Sequence, residues 1–182
     1  MKKNIVTTLI LLLAISVQAQ KVFTKNGSIN FNSKTTLETI DATSNQVTSV
    51  LVPGTGDIQF SVQVKSFHFK KALMEEHFNE TYMESDKYPK ATFKGKITDL
   101  SKVNFTKDGT YNVTVSGDLN MHNVTQKATT NGTITVKGGK PSASSSFVVK
   151  LADYKIDVPK VVRSNISETV TVTVNCTYDQ KL

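Results

Sequence analysis

From Tyr111 to Met121 every second side chain is apolar or small: Tyr111, Val113, Val115, Gly117, Leu119 and Met121. Asn112, Thr114, Ser116, Asp118 and Asn120 fill the positions between them. A helix cannot collect such a set on one side; an extended strand does, with one face buried and the other in water. The run is long for a strand, and Asn123 to Val136 has the length to be its partner, though it is rich in threonine. The same alternation recurs along the chain. Ile29 and Phe31 begin a first strand, and Asn45–Val52 is a weaker one. Ile58, Phe60, Val62 and Val64 share a face. Thr92–Leu100 carries Phe93 and Ile97 on one side with Gly95 between them. Phe147, Val149 and Leu151 follow, and Ile166–Tyr178 is the last strand. Turn signals separate the strands at Pro53–Asp57, Lys107–Gly109 and Lys137–Pro141. The count is about eight. Connections this tight require antiparallel neighbours, and long strands in one domain lose their exposed edges most simply by closing into a barrel.

Two places break the pattern. After Ser66 the apolar parity flips, because Phe67 and Phe69 are odd-numbered. Either a bulge keeps both sets inward, or the strand ends there. Lys71–Met83 instead has helical spacing. Met74, Phe78 and Tyr82 recur at i, i+4 and i+8, with Glu75, Glu76, Asn79 and Glu80 on the other side, and Pro89 bars any continuation. The expected fold is therefore all-β: an eight-stranded antiparallel barrel with one short helical insert.

The N-terminus has the features of an export signal. Lys2 and Lys3 precede an apolar run from Ile5 to Val17, and Val17-Gln18-Ala19 supplies small residues at the −3 and −1 positions. Cleavage is expected after Ala19. This gives a signal peptide at 1–19, a single barrel domain at 20–182, and a periplasmic or secreted location. Removing two lysines lowers the formal charge from +7 to +5. The remaining lysines are scattered and Arg163 is the sole arginine, so there is none of the clustering that nucleic-acid grooves use. A transient attraction to an anionic membrane surface fits this charge. Cys176, the only cysteine, continues the register of Val170, Val172 and Val174 and is expected in the core.

Little in the chain suggests catalysis. His68, His77 and His122 do not stand at metal-ligand spacing. Glu76 and Glu80 share a helix face, where solvation explains them. There is no nucleophile elbow and no phosphate loop. No catalytic residue, metal or cofactor is expected. The constellation that remains is apolar: Phe60, Phe67, Phe69, Phe78, Met83, Phe93, Met121 and Phe147. These side chains either form an ordinary core or line a pocket for a hydrophobic ligand, with a few polar groups fixing the headgroup.

Four stretches resemble the YceI-like family of bacterial exported lipid-binding proteins: HFNETYMESDKYPKATFKGK from His77, GDLNMHNVTQ from Gly117, FVVKLADYKIDVP from Phe147 and ISETVTVTV from Ile166. Lys87–Phe93 is the most specific of these, and Leu119-x-Met121-His122 with Val124-Thr125 comes second. Asn123 stands where family members often have glycine, and Lys155 where a small residue is common. The resemblance implies a lipocalin-like barrel with a helix beside it and a long pore. The pore would hold an isoprenoid, quinone-like or fatty-acid-derived lipid, and a homodimer is compatible with it. His77, His122, Tyr154 and Arg163 are then candidates for polar headgroup contacts. Two other readings compete: a filled barrel acting through its surface in envelope stress or adhesion, and a metal-dependent enzyme using His77, His122 and nearby glutamates.

Overall fold

The structure, a computed structural model, describes residues 20–181; the expected signal peptide lies outside them. Ten strands form one sheet: β1 (Val22–Lys34), β2 (Thr39–Val52), β3 (Asp57–Gln63), β4 (His68–Phe69), β5 (Lys90–Ile97), β6 (Gly109–Met121), β7 (Val124–Lys137), β8 (Lys140–Lys150), β9 (Thr169–Thr177) and β10 (Gln180–Lys181). β4 and β10 are two-residue additions at the rim. The other eight run β1-β9-β8-β7-β6-β5-β3-β2 with every neighbour antiparallel, and β1 pairs with β2 to close the circuit. The expected eight-stranded barrel is thus present.

β6 and β7 are joined by the two-residue turn His122-Asn123, and both residues have positive φ, 51° and 58°. That is the backbone a tight hairpin needs to match strand twist. The short side chain of Asn123 tolerates this conformation. Thirteen residues of β6 pair in unbroken register with β7.

β1 and β2 extend further than their alternation suggests. Register shifts on both sides of Gly27 switch the buried parity. On β1 it passes from Val22 and Thr24 to Gly27, and on β2 from Ala42 and Ser44 to Val47, Ser49 and Leu51. A β-bulge of this kind keeps both halves facing inward. The bulge also makes room for the sulfur of Cys176, which a Cβ at position 27 would strike. Cys176 is buried as expected, and burial pushes its thiol up to about 12.

β3 ends at Gln63, ahead of the parity flip after Ser66. A 3-10 turn at Val64–Ser66 redirects the chain, and His68–Phe69 pairs briefly with β2. The insert then forms α1 (Ala72–His77), which widens into a π-helical turn over Phe78–Tyr82. The expected helical span is right, but its second half is underwound. The Met83 amide donates to the Phe78 carbonyl five residues back.

One end of the barrel is filled. Leu51, Ile97, Ile134, Val136, Cys176 and Tyr178 are each at most 2% exposed. Tyr178 is the largest, and its hydroxyl meets Ser49 Oγ at 2.9 Å, while Ser49 Oγ donates to the Gln59 carbonyl. The buried polar atoms are thus paired, as burial demands. Burial also raises the Tyr178 phenol well above its ordinary value.

Candidate functional site: an apolar barrel cavity

Beyond the plugged end the interior is hollow. A cavity of about 710 Å³ runs inside the barrel, well within the range of small-molecule sites. All eight apolar residues singled out in the sequence (Phe60, Phe67, Phe69, Phe78, Met83, Phe93, Met121 and Phe147) border it. The strands position them by alternation. Phe60 and Phe93 are cross-strand partners with ring centroids 6.2 Å apart. The Phe93 ring lies over Gly95, where a Cβ would collide with it. From the insert, Phe67, Phe69 and Phe78 converge on Phe31, with centroid distances of 5.4–5.6 Å from Phe31. Stacked and edge-on rings of this kind stabilise beyond simple burial. The insert therefore roofs the cavity with aromatic side chains.

The polar candidates divide. His77, at the end of α1, and Tyr154 border the cavity. The Tyr154 phenol is raised, first by burial and then by the charge of Asp153. His122 lies off the wall. Its Nδ1 is 3.1 Å from the Tyr154 carbonyl and its Nε2 is 2.9 Å from the Glu84 carboxylate. Both partners are acceptors, so the two bonds coexist only when both ring nitrogens carry protons. The Tyr88 ring packs edge-on at 4.7 Å. This knot joins the exit of the insert, the β6–β7 turn and the β8–β9 connection. It also gathers strained backbone: Glu84, His122 and Lys155 all have positive φ. His122 is thus committed to holding the roof. Arg163 is half exposed; its Nε donates to the Val158 carbonyl and its guanidinium lies 3.6 Å from Glu168. Among the described residues no group of three His, Cys, Asp or Glu side chains could hold a metal ion. No helix among them is long and apolar enough to cross a membrane.

Sequence reasoning missed several wall residues. Ile29, Phe31, Leu119 and Val172 border the cavity, and their alternating register was the signal that could have found them. It also missed a polar strip. β7 and β8 pair only from Gly132↔Ser145 to Lys137↔Lys140. Beyond that point, residues 124–131 pair with β6 alone and residues 146–150 with β9 alone. The wall splays into a lateral slot edged by Gln126, Thr130 and Ser145, all of which border the cavity. Where the ladder stops, Ser145 Oγ donates to the Asn131 carbonyl at 2.8 Å, and Gln126 Nε2 reaches the Asp153 carbonyl at 2.9 Å. Gly132 marks the fork, since a Cβ there would sit 2.7 Å from the Ser144 carbonyl oxygen. The threonines that weaken the alternation of β7 thus edge an opening.

An eight-stranded antiparallel barrel, plugged at one end and hollow at the other, defines a lipocalin-like fold. Within that class the chain belongs to the YceI-like domain family, whose sequence model matches residues 15–178. Solved structures agree on the fold. A polyisoprenoid binding domain from Saccharophagus degradans, implicated in plant cell wall breakdown, is 18% identical. Its TM-score is 0.75, over 88% of this chain and 97% of that one. Burkholderia cenocepacia BcnA is 15% identical, with a TM-score of 0.68 over 82% and 94%. A Campylobacter jejuni YceI protein is 13% identical, with a TM-score of 0.53 over 99% and 100%. No curated protein matches the chain.

Proposed function

We propose that this protein is an exported, non-enzymatic carrier that holds the tail of an amphiphilic isoprenoid, quinone-like or fatty-acid-derived lipid in its barrel. The observation that carries the reading is the hollow apolar interior of about 710 Å³, which a filled barrel acting through its surface does not need. At the ~30 Å³ that a water molecule occupies in the liquid, such a space takes a tail of on the order of twenty carbons. Burying several hundred Å² of apolar tail at roughly 25 cal/mol per Å² contributes on the order of 10 kcal/mol before the cost of immobilisation. That suits reversible binding. The fold shared with a polyisoprenoid binding domain supports the same class of ligand. The edge of the slot (Gln126, Thr130 and Ser145, with Lys127 and Lys150 beside them) offers donors and acceptors to a polar headgroup. The leader features of residues 1–19 support export, to the periplasm or outside the cell.

The test is native mass spectrometry of protein purified from its own cell envelope, followed by solvent extraction and identification of what is released. A near-stoichiometric isoprenoid, quinone or acyl lipid is the expected result. Protein that emerges empty and takes up none of a panel of polyprenols, quinones and fatty acids would overturn the reading.

A further inference from the structure

Four large apolar side chains are strongly exposed among the described residues: Leu37, Leu73, Val148 and Val161, at 69, 60, 66 and 87%. Val148 stands apart from the others on β8, in the stretch that has parted from β7, and borders the cavity there. The other three belong together. Leu37 is in the turn between β1 and β2, Leu73 is in the first turn of α1, and Val161 is in a 3-10 turn at Lys160–Val162. In each segment the next residue along the chain, Glu38, Met74 or Val162, borders the cavity. Glu38 ties the three segments together. Its carboxylate accepts from Lys71 Nζ, one residue before α1, at 2.9 Å, and from Asn165 Nδ2, beyond the 3-10 turn, at 3.4 Å. The three exposed side chains therefore stand on one rim, around an opening of the apolar cavity.

The same segments carry exposed lysines: Lys34 near Leu37, Lys70 before Leu73, and Lys160 beside Val161, while Lys71 is paired with Glu38. Two of the acids there are occupied within the protein, Glu38 as above and Glu75 by the Phe69 amide and the nearby His68. Glu76 and Asp157 remain exposed. Apolar tips flanked by lysines are the surface that settles into the headgroup layer of a bilayer, with the tips below the headgroups and the ammonium groups at their level.

We propose that the Leu37–Leu73–Val161 rim is a docking surface for an anionic lipid bilayer, which sets the cavity opening against the membrane from which lipid is drawn. This rests on the carrier reading above, because a docked opening matters only if a tail passes through it.

The test is co-sedimentation of the purified protein with vesicles of phosphatidylcholine containing 30 mol% phosphatidylglycerol, and with phosphatidylcholine alone. Transfer of a fluorescent polyprenol is followed in parallel, from vesicles and from a cyclodextrin complex. The protein should bind the anionic vesicles and lose much of that binding in high salt, as screened charges do. The triple variant Leu37→Ser, Leu73→Ser, Val161→Ser should bind at least tenfold more weakly and extract lipid from vesicles correspondingly more slowly. Its uptake from cyclodextrin should stay intact, which also reports that it is folded. Equal vesicle binding by wild type and variant, or no vesicle binding by the wild type, overturns the docking surface. Vesicle binding that the triple variant loses, without wild-type uptake from either source, supports the rim and sinks the carrier reading instead, so the two failures are distinct.

Discussion

Filling the cavity from within is a sharper probe of the carrier reading than removing its walls, because it need not weaken the fold. Ala128 faces inward at the middle of β7 and borders the cavity, and its cross-strand partner is Gly117. Neither contributes more than a methyl group, so Ala128→Phe projects a ring into empty space. The substitution adds six carbons to a cavity that takes roughly two dozen atoms of water size. It therefore displaces about one five-carbon prenyl unit. At about 0.8 kcal/mol per buried methylene, losing the whole unit costs about 4 kcal/mol, and losing half of it by a shift toward the mouth costs about 2. Affinity should fall by a factor of roughly 30 to 1,000. The measurement is a titration with a polyprenol or quinone followed by native mass spectrometry, beside a thermal melt. The control is Thr171→Phe, which puts the same ring on the outward face of β9, where Thr171 is exposed and does not border the cavity. The control should bind normally, and Ala128→Phe should melt no lower than wild type. An Ala128→Phe protein that is folded and binds with unchanged affinity would refute the placement of the tail in this cavity.

Three further outcomes follow from particular contacts. Gly27→Ala places a methyl group against the Cys176 sulfur and the Val47 side chain, so urea denaturation should show a loss of about 1–3 kcal/mol; an unchanged midpoint would mean that the bulge relaxes freely. Lys155→Gly should gain about 0.5–1 kcal/mol in the same assay. It relieves the 1–2 kcal/mol cost of a left-handed backbone at a φ of 57°, less the added freedom of glycine in the unfolded chain; a loss of stability would show that the lysine makes a compensating contact. The hydrogen bond from His122 is the first cause holding Glu84 below its ordinary value of 4.5. Its contribution is therefore present above about that pH and drains away as pH falls through the folded value. Glu38 and Asp99 are depressed as well, so wild type should lose stability on acidification and Glu84→Gln should lose it less steeply. Parallel acid profiles for the two proteins would exclude the Glu84–His122 bond as a source of stability.

The barrel was legible in the sequence because a strand records its burial locally. Each inward residue of β6 or β9 is two places from the next, so no knowledge of partners is needed to see the face. Phe60, Phe93 and Phe147 of the aromatic wall followed from the same rule, and Phe78 from helical spacing. Where the rule failed, a neighbour had intervened. The bulge at Gly27 switches the buried parity of β1 and β2, and this hid the first half of β2. The parity flip at Ser66 left two outcomes open, and it resolved into a turn because Phe67 and Phe69 have Phe31 and Phe78 to meet. His122 was singled out as a polar contact for a ligand, yet Glu84 and the Tyr154 carbonyl occupy both its nitrogens, from 38 and 32 residues away.

By itself, then, the sequence determined an all-β chain of about eight antiparallel strands, the insert, and the set of large apolar side chains that turn inward. Tertiary structure decided that those side chains leave a space between them. Whether opposite walls meet depends on the diameter to which eight strands close, and on the place where β7 and β8 part. Both are set by pairings between residues distant in the chain, and alternation along a single strand carries no record of them.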